Sequence, residues 1–208
     1  SFNPYFVIAS VLTFFVPILV LPAILENAFN TPKAVLIQLG VCGMAAVYCF
    51  QLFRGREVSF TRSAVPKLMM LVILLNFFSF FYTRNYYYTN VAATMNVTAL
   101  LFVYFLSLHL SGKNAFRLLA LTALSGVLVS FETWLEFSDT SALFPWITPG
   151  SMVVGTIGNS NFLGAYLLFP ILAFTALIFL VKGKLRWVAA ALWIFVLAAL
   201  LFSMARAA

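Results

Sequence analysis

The sequence predicts an all-α protein, a polytopic bundle of about seven transmembrane helices in a single domain over 1–208, with a cytoplasmic amino terminus. Three observations predict it: scarcity of charge, the length of the apolar runs, and the placement of the basic residues. Only 8% of residues are charged and 64% are hydrophobic, whereas a soluble domain carries roughly a quarter charged residues. A water-facing surface cannot be built from that composition. Apolar runs recur at 5–25, 34–53, 66–83, 91–110, 118–135, 161–181 and 187–205. Each approaches the roughly 17–25 residues that a spanning helix needs. The runs are continuous rather than alternating, which excludes a barrel, the other architecture whose backbone is satisfied in lipid.

The first run contains Pro17 and Pro22, so its helix should kink or end early. A short polar connection from Glu26 to Lys33 leads to the second. The basic residues then gather in alternate connections: Arg54, Arg56, Arg62 and Lys67, then Lys113 and Arg117, then Lys182, Lys184 and Arg186. These are nine of the 12 basic residues, and the positive-inside rule places them in the cytoplasm. The net charge of +7 is thereby read as topology, and no nucleic-acid partner is expected. The outer side receives Tyr86, Tyr87 and Tyr88 and the long connection from Glu136 to Gly158. With Trp134 and Trp146 these tyrosines suit an aromatic belt at the headgroups. Pro145 and Pro149 break the long connection, which could lie flat with Leu143, Phe144, Trp146 and Ile147 dipping into the membrane. Cys42 and Cys49 stand about two helical turns apart in one run, too far for a disulfide, and read as small core residues. No removable signal peptide is expected before the first run. A start at Ser1 and an end just after Arg206 are expected of a piece of a longer protein.

The most informative stretch is Gly155-Thr-Ile-Gly-Asn-Ser-Asn-Phe-Leu-Gly-Ala-Tyr-Leu-Leu-Phe-Pro170. Its glycines allow bends or close backbone approach. Asn159 and Asn161 are both suited to cap the helix that begins there. Read conservatively, the stretch is a capped start of a membrane helix. Read functionally, it is a polar pocket at the membrane surface whose helix N-terminal amides favour an anion.

Gly158-Asn-Ser-Asn-Phe-Leu-Gly164 resembles the Gly-Asn-x-Asn-x-x-Gly signature of the O-antigen ligase-like membrane proteins. Leu201-Phe-Ser-Met-Ala-Arg-Ala-Ala208 is similar to a degraded form of that family's Ser-Arg-Gly/Ala motif, with Ala205 in place of the serine and Arg206 kept. Pro32-Lys33 is a weaker third match. The resemblance covers the chain as the amino-terminal half of a family member. It implies transfer of a glycan from a polyprenyl-pyrophosphate donor to an acceptor hydroxyl of lipid A core, glycan or protein. The reaction would take place at the outer face of a bacterial inner membrane, without metal or cofactor. The family's arginines are thought to hold the pyrophosphate, a role carried here to Arg206, aided by Asn159, Asn161 and Lys33.

Arg206 offers a fixed fork of donors for phosphate, or else it snorkels at a helix end. Lys33 and Arg84 are the other two outer cations. They complete a positive cluster around a pyrophosphate, or they are single interfacial anchors. Glu132, Glu136 and Asp139 form an acidic group, read either as a general base for the acceptor hydroxyl or as solvated residues ending a helix. His109, the only histidine, does not match the histidine of the related ligases and reads as interfacial. One histidine and two cysteines within an apolar run cannot assemble a zinc site.

The sequence thus supports an O-antigen ligase-like glycosyltransferase, with membrane lipid and a polyprenyl-pyrophosphate-linked glycan as partners. The competing reading is a non-catalytic membrane subunit that packs against other membrane subunits of a larger complex. Asn76, Asn96 and the proline-kinked first run give a transporter only weak support. In a chain carrying Cys42→Ala and Cys49→Ala, a cysteine placed at Lys184 should resist an impermeant thiol reagent in intact cells. Labelling there from outside would overturn the topology.

Overall fold

The computed structural model describes residues 3–20, 30–55, 64–78, 81–83, 86–138 and 153–203. Among them there are helices and turns but no strand. The seven α-helices follow the seven apolar runs in order: α1 (Pro4–Phe15), α2 (Asn30–Phe53), α3 (Ala64–Phe78), α4 (Tyr86–His109), α5 (Gly112–Phe137), α6 (Ser160–Leu180) and α7 (Lys184–Phe202). A 3-10 turn over Gly155–Ile157 precedes α6.

Five of them are long and apolar enough to cross a membrane: α2, the 89–109 part of α4, α5, α6 and α7. Several such helices mark a multi-pass membrane protein. The expected seven spans reduce to five on this criterion. α1 stops after 12 residues, as the chain turns through Val16–Ile18 where Pro17 supplies no N–H. α3 has 15 residues. The Pro22 break and the surface segment with Leu143, Phe144, Trp146 and Ile147 lie outside the described residues.

The chain divides into two compact units. The first combines Ser1–Ala9 with Ala34–Ser111. Its centre is aromatic: Tyr5 is buried and stacks on His109 at 3.8 Å between ring centroids. Phe105 packs against Tyr5 at 6.0 Å and against Tyr48 at 5.5 Å. Asn3 serves two helix ends. Its Oδ1 accepts from Phe6 N in the first turn of α1, and its Nδ2 donates to the His109 carbonyl ending α4. That carbonyl has no partner within its own helix, so the short polar side chain replaces water there. Cys42 and Cys49, expected in a core, are both exposed. Their face of α2 looks outward, whereas Val41 and Met44 are buried.

The second unit combines Ser10–Lys33 with Gly112–Ala208. Val129 of α5, Leu163, Leu167 and Phe174 of α6, and Val196 and Ala199 of α7 form its core. Gly126 of α5 lies against Pro170 of α6, and a Cβ there would overlap the proline ring. Pro170 leaves one carbonyl of α6 without its helical donor, yet its ring fills the space that Gly126 vacates. Small residues at such crossings let membrane helices approach closely. The Ser125 and Tyr166 hydroxyls share a hydrogen bond at 2.8 Å beside this contact. Trp193 Nε1 donates to Thr175 Oγ1 at 3.0 Å. Trp134, in the last turn of α5, packs against Phe202 at 4.6 Å and Phe195 at 6.1 Å of α7. Phe169, Leu172, Phe179 and Leu201 are exposed, as suits a protein whose surrounding solvent is hydrocarbon.

Gly126→Ala is expected to lower thermal stability in mild detergent by about 1–3 kcal/mol, the usual cost of overpacking. A Cβ at Gly112 would meet nothing within 4 Å, so Gly112→Ala should leave the melting temperature unchanged.

Candidate functional site

The polar end of the second unit is built where α5 ends and α6 begins. α5 carries two carboxylates there, one turn apart on one face. One of the two sequence readings had them solvated at a helix end, yet Glu132 is 2% and Glu136 5% exposed. Burial of a carboxylate demands donors, and for Glu136 the backbone supplies them. Oε2 accepts from Gly155 N at 2.6 Å and from Val154 N at 3.0 Å, and Oε1 accepts from Val154 N at 3.1 Å. Glu132 stands differently, since its Oε2 is buried with no hydrogen-bond partner among the described residues. Asp139 lies outside them.

The carboxylate fixes a segment that leaves regular helix. Gly155 has φ +52°, and a Cβ there would stand 3.3 Å from Thr133 Oγ1 and 3.5 Å from Leu163. Both the left-handed backbone and the tight space select glycine. Thr156 follows, buried, with its hydroxyl donating to the Pro17 carbonyl at 2.8 Å. Its own carbonyl accepts from Lys33 Nζ. Gly158 is again left-handed, at φ 81°, and turns the chain into Asn159.

Asn159 caps α6. Its Oδ1 accepts from Asn161 N at 2.9 Å and from Phe162 N at 3.4 Å, the N2 and N3 amides that a cap ordinarily meets. Asn161 was expected to share this work and does not. It sits at the second helical position with its side chain exposed, past the point from which a side chain can reach back to cap. Its amide is therefore presented outward beside the capped turn.

Lys33, in the first turn of α2, is only 9% exposed. An ammonium carries three N–H donors, and the Thr156 carbonyl takes one. Of the sequence-predicted residues, Lys33 reaches the loop at Thr156, and Asn159 and Asn161 follow that residue along the chain in the same unit. Arg84 and Arg206 lie outside the described residues. Sequence reasoning missed Thr156 and the hold of Glu136 on the loop. The signal available was the placement of a carboxylate in an apolar run of a chain with only five acidic residues. His109 belongs to the other unit and has no part here. No group of side chains suited to a metal occurs among the described residues.

The arrangement can present an amide and a buried cation at a helix start; among the described residues it contains no assembled nucleophile and base. Comparison with protein-family models, with curated proteins and with solved structures returns no match.

Glu136→Gln replaces one acceptor oxygen by an NH2 group facing two backbone donors. Hydrogen bonds to a charged group contribute about 1.5–3 kcal/mol each. The variant should unfold at lower temperature by about 2–4 kcal/mol, and exchange at the Val154 and Gly155 amides should accelerate. Unchanged exchange would show that the carboxylate does not hold the loop.

Proposed function

We propose that this chain is part of an O-antigen ligase-like glycosyltransferase, which moves a glycan from a polyprenyl-pyrophosphate donor to an acceptor hydroxyl. The observation that carries the reading is the contact between Lys33 and Thr156. It brings the Pro32-Lys33 pair beside the Gly-Asn-Ser-Asn segment, although 123 residues separate them. These are two of the three sequence segments on which the resemblance rests. Their proximity supports a common role that neither motif supports alone.

The proposed topology has seven crossings, an inside amino terminus and nine cations on the cytoplasmic side. It puts the start of α6 and the end of α7 at the outer face of a bacterial inner membrane. Among the described residues Lys33 has two N–H donors left for a diphosphate, and Asn161 adds an outward amide. Arg206 and Arg84 complete the cationic set in this proposal, with Arg206 as the bidentate anchor. Such contacts gain strength where water is scarce. Catalytic groups are not assigned.

One observation favours the second reading, a non-catalytic subunit of a larger membrane complex. Met70, Leu71, Val72, Leu74, Leu75, Phe77 and Phe78 of α3 are all exposed, covering that helix except for the strip of Ile73, which is buried. A partner helix would bury what this chain leaves bare.

Native membranes holding the protein, supplied with a polyprenyl-pyrophosphate glycan and an acceptor, should form the transferred product. Arg206→Ala should reduce transfer by about 10- to 150-fold, the loss of one charged hydrogen-bonded contact, and Lys33→Met should reduce it similarly. Absence of transfer from the unaltered protein, together with its purification in fixed ratio with other membrane subunits, would select the second reading.

A further inference from the structure

The opposite end of the second unit carries a different feature. α6 ends at Leu180 and α7 begins at Lys184, so only Val181, Lys182 and Gly183 connect them. Gly183 permits this with φ 67° and ψ −141°, a backbone that a side chain would strain. A Cβ on it would meet nothing within 4 Å, so the space over the connection is open.

Beside it lies a groove of about 540 Å³ lined by Ile178, Gly183, Arg186, Trp187 and Ala190. Sites for small molecules occupy roughly 300–1,000 Å³. The lining joins one cation, Arg186, to apolar side chains, and the exposed Lys182 and Lys184 stand close to it in the chain. The rest is apolar, with Trp187 78% exposed. No acidic residue occurs between 181 and 190. The carboxylates Glu132 and Glu136 belong to the far end of the unit, since α6 with 21 residues is about 31 Å long. Neither of this unit's described acids, therefore, neutralises the three cations.

We propose that this groove binds an anionic phospholipid of the surrounding bilayer. Its phosphate would meet Arg186, Lys182 and Lys184, and an acyl chain would follow Ile178, Ala190 and the Trp187 ring. Charge complementarity selects an anionic headgroup over a zwitterionic one, and the apolar floor selects a lipid over a free anion. Basic pockets between membrane helices bind anionic headgroups in this manner. An exposed tryptophan suits the same depth, with its ring among chains and its N–H among headgroups. The site does not depend on glycan transfer, so either proposal can fail without the other.

The test is native mass spectrometry of the full chain in mild detergent, titrated with phosphatidylglycerol, phosphatidylcholine and inorganic phosphate. One phosphatidylglycerol should bind per chain at least tenfold more tightly than phosphatidylcholine. Arg186→Gln should weaken it about fivefold, the worth of one surface cation, and the triple change to Gln at 182, 184 and 186 about a hundredfold. All three side chains are exposed, so these variants keep the fold, which a matching melting curve checks. Arg117, an exposed cation of α5, is the control, and Arg117→Gln should bind as the unaltered chain does. Equal binding of phosphatidylcholine would overturn the proposal. So would an equal loss in Arg117→Gln, which means diffuse attraction, or competition by inorganic phosphate at the lipid's own concentration.

Discussion

An unsatisfied backbone N–H in hydrocarbon costs several kcal/mol, and the chain must leave regular helix before α6 can begin. Glu136 meets that constraint. By accepting from Val154 and Gly155 it supplies the partners that a preceding helical turn would have given. The other features of the loop follow from this hold. Gly155 adopts a left-handed conformation next to Thr133, Thr156 reaches the Pro17 carbonyl, and the chain arrives at Asn159 in an extended conformation suited to capping. A loop satisfied only by water would not keep one geometry at this depth, and the segment from 158 to 164 would have no fixed direction.

Two of the three buried ionisable side chains near this loop, Glu136 and Lys33, are answered by backbone rather than by one another. Glu136 takes amide hydrogens, and Lys33 gives one to a carbonyl. This difference has chemical weight. In an ion pair the field of the ammonium would be largely cancelled, whereas a carbonyl dipole cancels only part of it. Lys33 so placed keeps net attraction for an anion, and partial burial strengthens that attraction over its value in water. The geometry therefore couples a structural duty, holding Thr156, to a capacity for recognition. Loss of Lys33 alone would disturb both, whereas the outward amide of Asn161 carries no structural duty.

The helices were legible in the sequence because the surrounding solvent is apolar and length alone marks a span. Six of the seven expected runs agree with α2 to α7 to within a few residues at most ends. The first run is longer than its helix, and Pro17 within it had marked the early end that α1 shows after Phe15. Which face of a helix is buried was not legible, because lipid and protein interior favour the same residues. That is why Cys42 and Cys49 were read inward. The site was half legible. Asn159 is a cap by residue type and position, but the burial of Glu132 and Glu136 depends on a loop folding back from 18 or 19 residues further along. Contacts of that separation leave no local pattern, nor does the 123-residue reach from Lys33 to Thr156.

α6 connects the two polar ends of the second unit, and its length of about 31 Å matches the roughly 30 Å hydrocarbon core of a bilayer. Packing against a neighbouring helix sets tilt, and α7 packs along α6, so a restraint on one end of the pair sets the depth of the other. Under the proposed topology, a lipid held as proposed at Arg186 would fix this pair from the cytoplasmic leaflet. Asn159 and Asn161 then stand at a defined height among the outer headgroups. That is the height at which the pyrophosphate of a polyprenyl carrier emerges from the bilayer, because its chain occupies the same hydrocarbon thickness. Position along the membrane normal would thus be set by the basic groove, and position within the membrane plane by the contact of Lys33 with the loop that Glu136 holds.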